Sequence, residues 1–434
     1  MYERFRLTSA VAVVLALLFF SGCHNSFTST VHFVSSQDDP YNVILMIGDG
    51  MGWSHVELGK LVEFGDNENL SMQHALLHLN VTTQNVDSRT TDSAAAATAM
   101  ATGRKTANGK ISVLPDGEVV DTILELAQAN GKSTGIVATT LIQHATPAAF
   151  MTHVENRNNY TEITRQLIEE ADVDVLLGGG LEYISDSQLL SMEDAGYSIV
   201  HNRFDLFSIS SGKLLGLFAE QYLDYEEDRI LNTTPSLAEM TSKSLELLSQ
   251  DSNGFFLMVE GSKIDYAAHS HDRVGVALEV IAFHEAVSVA MDYMQSHSNT
   301  IIIVTADHET GGLTIAGDSL SDDLPNSMLT EEQRRSLRIS RAENITAFWS
   351  TTGHTNSTVP LFAFGDIFIQ QTNGDVIDNT DVFFEMLSFY SRDSTFRSDW
   401  NAENDPEIFT LVIIAGSVVV VAMVVSIVLW RRRQ

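Results

Sequence analysis

The sequence predicts an α/β protein: a three-layer sandwich with a mostly parallel central sheet, helices on both of its faces, and one further C-terminal transmembrane helix. Three observations lead there. Short apolar runs, readable as strands buried on both faces, alternate along the chain with stretches of helical period. Residues able to carry chemistry follow directly on the ends of several of those runs, which is where open α/β sheets gather their ligands. And a charge-free segment from Ile408 to Trp430 is closed by Arg431-Arg432-Arg433.

The elements follow in chain order. Arg4 and Arg6 precede an apolar stretch from Ala10 to Phe20, and Ser21-Gly22-Cys23 supplies small residues for a cut. Residues 1–23 therefore read as a secretory signal. Phe20-Ser21-Gly22-Cys23 also resembles a prokaryotic lipobox with an unusual first position, so Cys23 is a candidate for lipidation beside the plain-signal reading. Residues 24–40 are polar and read as a tether. The folded unit spans 41–391. Its strands are predicted at 42–47, 134–139, 173–177, 255–260, 300–305 and 360–364, and its helices at 93–102, 120–130, 161–171, 235–250 and 274–297. Residues 316–345 are polar and charged, an insertion or cap rather than a second core. Residues 392–407, with Trp400 and Pro406, form a linker. The span 408–430 is long enough to cross a bilayer of about 30 Å. The basic tail 431–434 marks the cytoplasmic side, which puts the folded unit in the periplasm or outside the cell.

Composition narrows the partners. The 434 residues carry 57 acidic and 25 basic side chains, a formal charge of −32. No basic stripe is available to release counterions from nucleic acid, so nucleic acid is excluded as a partner. An anionic substrate would be repelled at long range, and attraction must come from metal ions or a placed arginine. With one cysteine, no internal disulfide can form.

The first strand ends in Ile47-Gly48-Asp49-Gly50-Met51-Gly52-Trp53. A carboxylate among glycines suits a strand end where the backbone stays slim and Asp49 points at something charged. Strand 300–305 runs into Asp307-His308, an oxygen and an imidazole ligand suited to zinc. Strand 255–260 ends in Glu260. If the residues after it are helical, Asp265 and His269 share a face at i and i+4. His354 lies just before strand 360–364, and strand 134–139 leads to His144-Ala145-Thr146-Pro147, with Arg157 a short loop later. Each of these has an ordinary structural explanation alone. Their recurrence at one strand end after another does not. Asp92-Ser93 before an alanine-rich run is first a helix N-cap signal. A serine there also sits in the positive field of a helix N-terminus, where exposed amides accept a phosphoryl group. No Gly-x-Ser-x-Gly elbow surrounds Ser93, so its activator would be a metal rather than a triad base.

In this order Asp49-Gly50-Met51-Gly52, Thr91-Asp92-Ser93-Ala94, His144-Ala145-Thr146-Pro147, Glu260-Gly261 with Asp265 and His269, Asp307-His308 and Gly353-His354 resemble the alkaline phosphatase family over residues 42–365. The resemblance implies a phosphomonoesterase with two zinc ions and one magnesium ion. One zinc would be held by Asp265, His269 and His354, and the second by Asp49, Asp307 and His308. Magnesium would take Asp49, Thr146 and Glu260, an oxygen-only set that suits a hard ion. Ser93 would be the phosphorylated nucleophile, and Arg157 would grip the phosphate bidentately with Asp92 orienting it. His144 and Tyr266 would touch substrate. Two positions vary in the family: His144 stands near the third metal where some members have Asp, and Tyr266 stands where others have Trp, His or Lys. The segments between Arg157 and Glu260 and between His308 and His354 are short, implying a compact enzyme in which the family's usual homodimer is less secure. The alternatives are a phosphodiesterase or other hydrolase of the same superfamily, and a binding protein on a retired enzyme scaffold. The full ligand set with Ser93 argues against the last.

Overall fold

A computed structural model describes residues 40–316, 325, 328–367 and 375–393. The predicted signal with Cys23, nearly all of the tether and linker, the span 408–430 and the basic tail lie outside the described residues.

Ten strands form one sheet: β1 (Asn42–Gly48), β2 (Leu77–Thr82), β3 (Ser133–Leu141), β4 (Val175–Gly179), β5 (Tyr197–Val200), β6 (Lys213–Leu217), β7 (Phe255–Gly261), β8 (Thr300–Thr305), β9 (Val359–Phe364) and β10 (Val376–Asp378). Across the sheet they run β10-β2-β9-β8-β1-β7-β3-β4-β6-β5. All pairings are parallel except the two made by β9, which runs against both β2 and β8. Every residue of β1, β7 and β8 is buried, as expected for strands covered on both faces.

Helices cover both faces. α1 (Trp53–Phe64), α6 (Leu237–Leu248) and α8 (Arg273–Ser296) pack together on one side, with α7 (Lys263–His269) and α9 (Glu331–Glu343) against α8. On the other side α2 (Ser93–Thr102), α3 (Ile123–Ala129), α4 (Ala145–Met151) and α10 (Thr380–Tyr390) form a second group, with α5 (Tyr160–Glu169) beside α4. Strand β7 is touched from one group by α6 and α8 and from the other by α3 and α4. Among the described residues, α8 alone is long and apolar enough to cross a membrane, yet 67% of its apolar window is buried. It is a core helix.

All six predicted strands and five predicted helices are present, strand 300–305 and helix 93–102 with the predicted ends and the others with ends shifted by at most three residues; strand 173–177 becomes Val175–Gly179. The predicted polar cap folds in part as helix α9. It docks through arginines rather than an apolar face. Arg338 makes a bidentate pair with Glu63 at 2.6 and 2.8 Å, and Arg341 Nε donates to the Val62 carbonyl at 2.6 Å. That is why its sequence reads as solvated.

Two turns position the chemistry. Helix α2 begins where the Asp92 side chain accepts from the Ala95 amide, and all ten of its residues are buried. It stops at Gly103, whose φ of +70° favours glycine. Beyond β1 the chain turns at Gly50, φ +72°, where a Cβ would lie 2.9 Å from the Asp265 Cα. Only glycine lets that turn close against the Asp265 backbone.

Candidate active site

Register brings the predicted ligands together. β1 lies between β7 and β8, with Ile47 opposite both Glu260 and Thr305. Asp49 follows one residue beyond β1, Glu260 is the next-to-last residue of β7, and Asp307 follows β8 by two residues. On the far side of β7, β3 leads through Gln143 to His144, the N-cap of α4. The carboxyl ends of four adjacent strands therefore deliver Asp49, Glu260, Asp307 and His144 to one place. Helix α7 brings Asp265 and His269 to the same end, one turn apart.

Three groups of donor atoms converge, each within 4.8 Å: Asp265, His308 and His354; Asp49, Asp307 and His308; and Asp49, His144 and Glu260. His269 completes the first, with Nε2 3.3 Å from Asp265 Oδ2 and 3.2 Å from His354 Nε2. His308 lies between the first two groups, its ring stacked on that of His354 at 3.6 Å.

The histidine tautomers follow from what their outer nitrogens meet. Nδ1 of His269 faces the Thr352 carbonyl at 2.5 Å, and Nδ1 of His354 faces the Thr91 carbonyl at 2.9 Å. A carbonyl only accepts, so both Nδ1 atoms donate, and in the neutral imidazoles both Nε2 atoms present lone pairs to each other. His308 is set by Thr310, whose hydroxyl donates to Asp265 Oδ1 at 2.5 Å and so accepts from His308 Nδ1 at 3.2 Å. His308 Nε2 then points its lone pair at Asp307 Oδ2, 3.2 Å away, and Asp49 Oδ1, 3.5 Å away. Acceptors facing acceptors at these distances need a metal ion or a shared proton between them.

Burial strengthens that conclusion. Asp49, Glu260 and Asp307 have no solvent exposure. Both oxygens of Asp49, both of Glu260, Asp307 Oδ2 and Thr146 Oγ1 lack a hydrogen-bond partner. Buried carboxylates without partners are strongly unfavourable unless paired or metal-bound. The donors of the first two groups, imidazole and carboxylate, suit zinc. Asp49, Thr146 and Glu260 offer oxygens that suit a hard ion, with the His144 imidazole converging on Asp49 and Glu260. The residues present fit the ions that the resemblance implies.

His144 faces two ways. Its Nε2 lies 3.1 Å from Arg157 Nη2 and 3.4 Å from the Tyr266 hydroxyl, while Nδ1 is buried and unpartnered, and one ring nitrogen lies within 4.8 Å of carboxylate oxygens of Asp49 and Glu260. Because a guanidinium only donates, Nε2 is the acceptor and Nδ1 carries the hydrogen in this arrangement. Burial, with Arg157 adding, drives His144 down to about 3, so it is neutral.

Ser93 opens helix α2 and is 2% exposed. Its Oγ lies 3.3 Å from His308 Nε2. Arg157 stands beside it, Nη1 donating to Asp92 Oδ2 at 3.1 Å. The other Asp92 oxygen caps the helix, and Oδ2 also accepts from the Gly109 amide at 2.9 Å. One carboxylate thus fixes both the helix start and the arginine.

Thr310 is the residue that sequence reading missed. It orients one histidine and one carboxylate at once, and its signal was available: a hydroxyl two residues after His308, within reach of the same site in an extended chain. Strand ends with His or Asp drew attention, and this neutral neighbour did not.

Charge in the metal-free site carries a pH signature. Burial pushes Glu260 up to about 8 and Asp307 up to about 6, and burial with Asp307 alongside pushes Asp49 well above the usual carboxylate range. The hydrogen bond to Asp265 pushes His269 up to about 9. A carboxyl raised on folding contributes stability that is complete below its unfolded value of about 4.3 and is lost as pH rises through its folded one. The chelated protein is therefore expected to lose stability between about pH 5 and 8. The metal-loaded protein, whose carboxylates are compensated, holds its own. Calorimetry should show the Tm gap between loaded and chelated protein widening over that window; a constant gap would contradict the assignment.

The comparisons with known proteins agree on one family. The alkaline phosphatase family model matches residues 41–340. Alkaline phosphatase 3 of Bacillus subtilis is 34% identical over 80% of this chain and 88% of its own length. The crystal structure of a cold-active alkaline phosphatase from a psychrophilic Shewanella superimposes with a TM-score of 0.69 at 32% identity, covering 80% of this chain and 99% of the other. A variant of the TAB5 alkaline phosphatase, described with magnesium bound in its M3 site, matches with a TM-score of 0.68 at 30% identity over 81% of this chain and 98% of that one. With the fold, the length of the match and the identity in accord, the chain belongs to the alkaline phosphatase family and is a phosphoric monoester hydrolase.

Proposed function

We propose that this chain is a membrane-anchored, extracytoplasmic alkaline phosphatase that hydrolyses phosphate monoesters through a phosphoserine on Ser93, with two zinc ions and one magnesium ion. The observation that carries the reading is Ser93 Oγ at a helix N-terminus, 3.3 Å from His308 and beside an arginine held by Asp92.

Asp265, His269 and His354 would hold one zinc, Asp49, Asp307 and His308 the other, and Asp49, Thr146 and Glu260 the magnesium; His144 converges with Asp49 and Glu260 there, and the TAB5 structure described with magnesium in its M3 site carries a His-to-Glu change. When bound, the ions would lower the pKa of the attacking hydroxyl and stabilise charge on the departing oxygen. The chain supplies the rest. Helix α2 presents its first amides to the phosphoryl oxygens. Asp92 keeps the Arg157 guanidinium in one orientation, ready for bidentate contact with two of those oxygens. Ser93 Oγ forms a bond to phosphorus as the ester oxygen leaves with a proton. Water then displaces Ser93, releasing inorganic phosphate. His144, neutral, lines the arginine's other side. In a chain of net charge −32, Arg157 and the helix N-terminus supply local attraction for a dianion.

The anchoring rests on residues 408–430 with the basic stop after them, and on Cys23 as an alternative lipid site. One experiment tests activity and location together. The intact protein should release phosphate from an aryl phosphate at alkaline pH in a membrane fraction, lose that activity on chelation, and regain it with zinc and magnesium. Removing residues 408–434 should move the activity to the soluble fraction. If release also requires Cys23→Ser, lipid holds the protein too. Undiminished activity after full chelation would overturn the metal-dependent reading.

A further inference from the structure

Tyrosines gather at one edge of this site in a way that core packing does not explain. The Tyr222 side chain is 37% exposed, and its ring centroid lies 5.3 Å from that of Tyr266. The Tyr266 hydroxyl reaches His144 Nε2 at 3.4 Å, and the same nitrogen is 3.1 Å from Arg157 Nη2. An aromatic surface therefore begins two contacts from the guanidinium. On the arginine's own segment, Tyr160 opens helix α5 three residues after Arg157, and its ring packs on Tyr183 with centroids 4.9 Å apart.

The segment carrying Tyr222 is clamped. The amide of Leu223 donates to the Thr139 carbonyl at 3.3 Å, and its carbonyl accepts from Lys263 Nζ at 2.7 Å. Lys263 is buried, sits 3.6 Å over the Tyr225 ring, and lies two residues before Asp265. Three residues after Leu223, the Glu226 amide donates to the buried Glu279 carboxylate at 2.7 Å. An exposed ring on a fixed backbone is a preorganised surface: a group stacking on it pays little to order the loop.

We propose that Tyr222, with Tyr266 and Tyr160, forms a leaving-group subsite that favours phosphate monoesters bearing a planar aromatic group. The proposal rests on the phosphomonoesterase reading and names its substrate class. The phosphoryl group would lie between Ser93 and Arg157, and the ester substituent would extend along the tyrosines, whose rings offer stacking.

Benzyl phosphate and ethyl phosphate separate the two ideas, because both release a primary alkoxide and differ in the ring. For the intact metal-loaded protein, Tyr222→Ala should lower the benzyl-to-ethyl ratio of kcat/KM about three- to tenfold, mainly through the KM for benzyl phosphate. Tyr222→Phe should keep the ratio. Equal losses on both substrates, or an unchanged ratio in Tyr222→Ala, would overturn the subsite while leaving the phosphatase intact. If the unaltered protein cleaved neither ester, the functional reading itself would fail and the subsite with it.

Discussion

Replacing Ser93 by alanine is expected to lower kcat on phosphate monoesters by about four orders of magnitude or more, the scale seen when a covalent nucleophile is removed. The fold should tolerate the change. Ser93 is the first residue of α2, and the helix is capped by Asp92 rather than by Ser93. Alanine favours the helix slightly and fits the space that the serine leaves. All the Asp, Glu, His and Thr ligands assigned to the three metals remain in the variant, so metal content should be retained. Kinetics, metal analysis and Tm on one preparation therefore read three different things. Loss of turnover with metal and Tm intact assigns chemistry to Ser93. Near-normal turnover would contradict the mechanism outright.

The second large effect comes from Asp49. It is the carboxylate shared by two donor groups, one with Asp307 and His308 and one with His144 and Glu260. Both of its oxygens are buried without a hydrogen-bond partner. Asp49→Asn keeps the shape but replaces one oxygen with a donor NH2 and removes the charge that two cations would share. Changing groups that merely orient ligands costs about 10- to 100-fold in metal affinity, and losing a ligand should cost at least that. Asp49→Asn is therefore expected to retain one tightly bound metal equivalent of three after dialysis. His354→Ala, which touches only the group around Asp265, should retain two. Elemental analysis gives the counts directly. Equal losses in the two variants would show that Asp49 is not shared.

How much of this was legible in the sequence follows from physics. Strands β1, β7 and β8 are buried on both faces and appear as unbroken apolar runs, such as Val43-Ile44-Leu45-Met46. β2 and β5 were missed. β2 is half exposed, with polar residues between its apolar ones, and β5 has four residues. β6 carries Gly216 inside a five-residue strand, a composition that weakens any strand signal. Helix α4 was hidden by Pro147 near its start. The site was more legible than the fold around it. Asp, Glu and His are poor core material, so each stands out at the end of an apolar run. What escaped depends on tertiary contact: Thr310 matters because of two partners, one of them 45 positions away, and Tyr222 because a buried lysine pins its loop beside a helix 40 positions later.

The central claim is a covalent phosphoryl-enzyme on Ser93, and the most direct measurement is acid quenching during turnover followed by peptide mapping. The account predicts phosphate on the peptide containing Thr91-Asp92-Ser93, absent from Ser93→Ala and lost when the quench is delayed until the substrate is exhausted and water has hydrolysed the phosphoserine. Full turnover with no phosphorylated residue, or with phosphate on a different side chain, would contradict it.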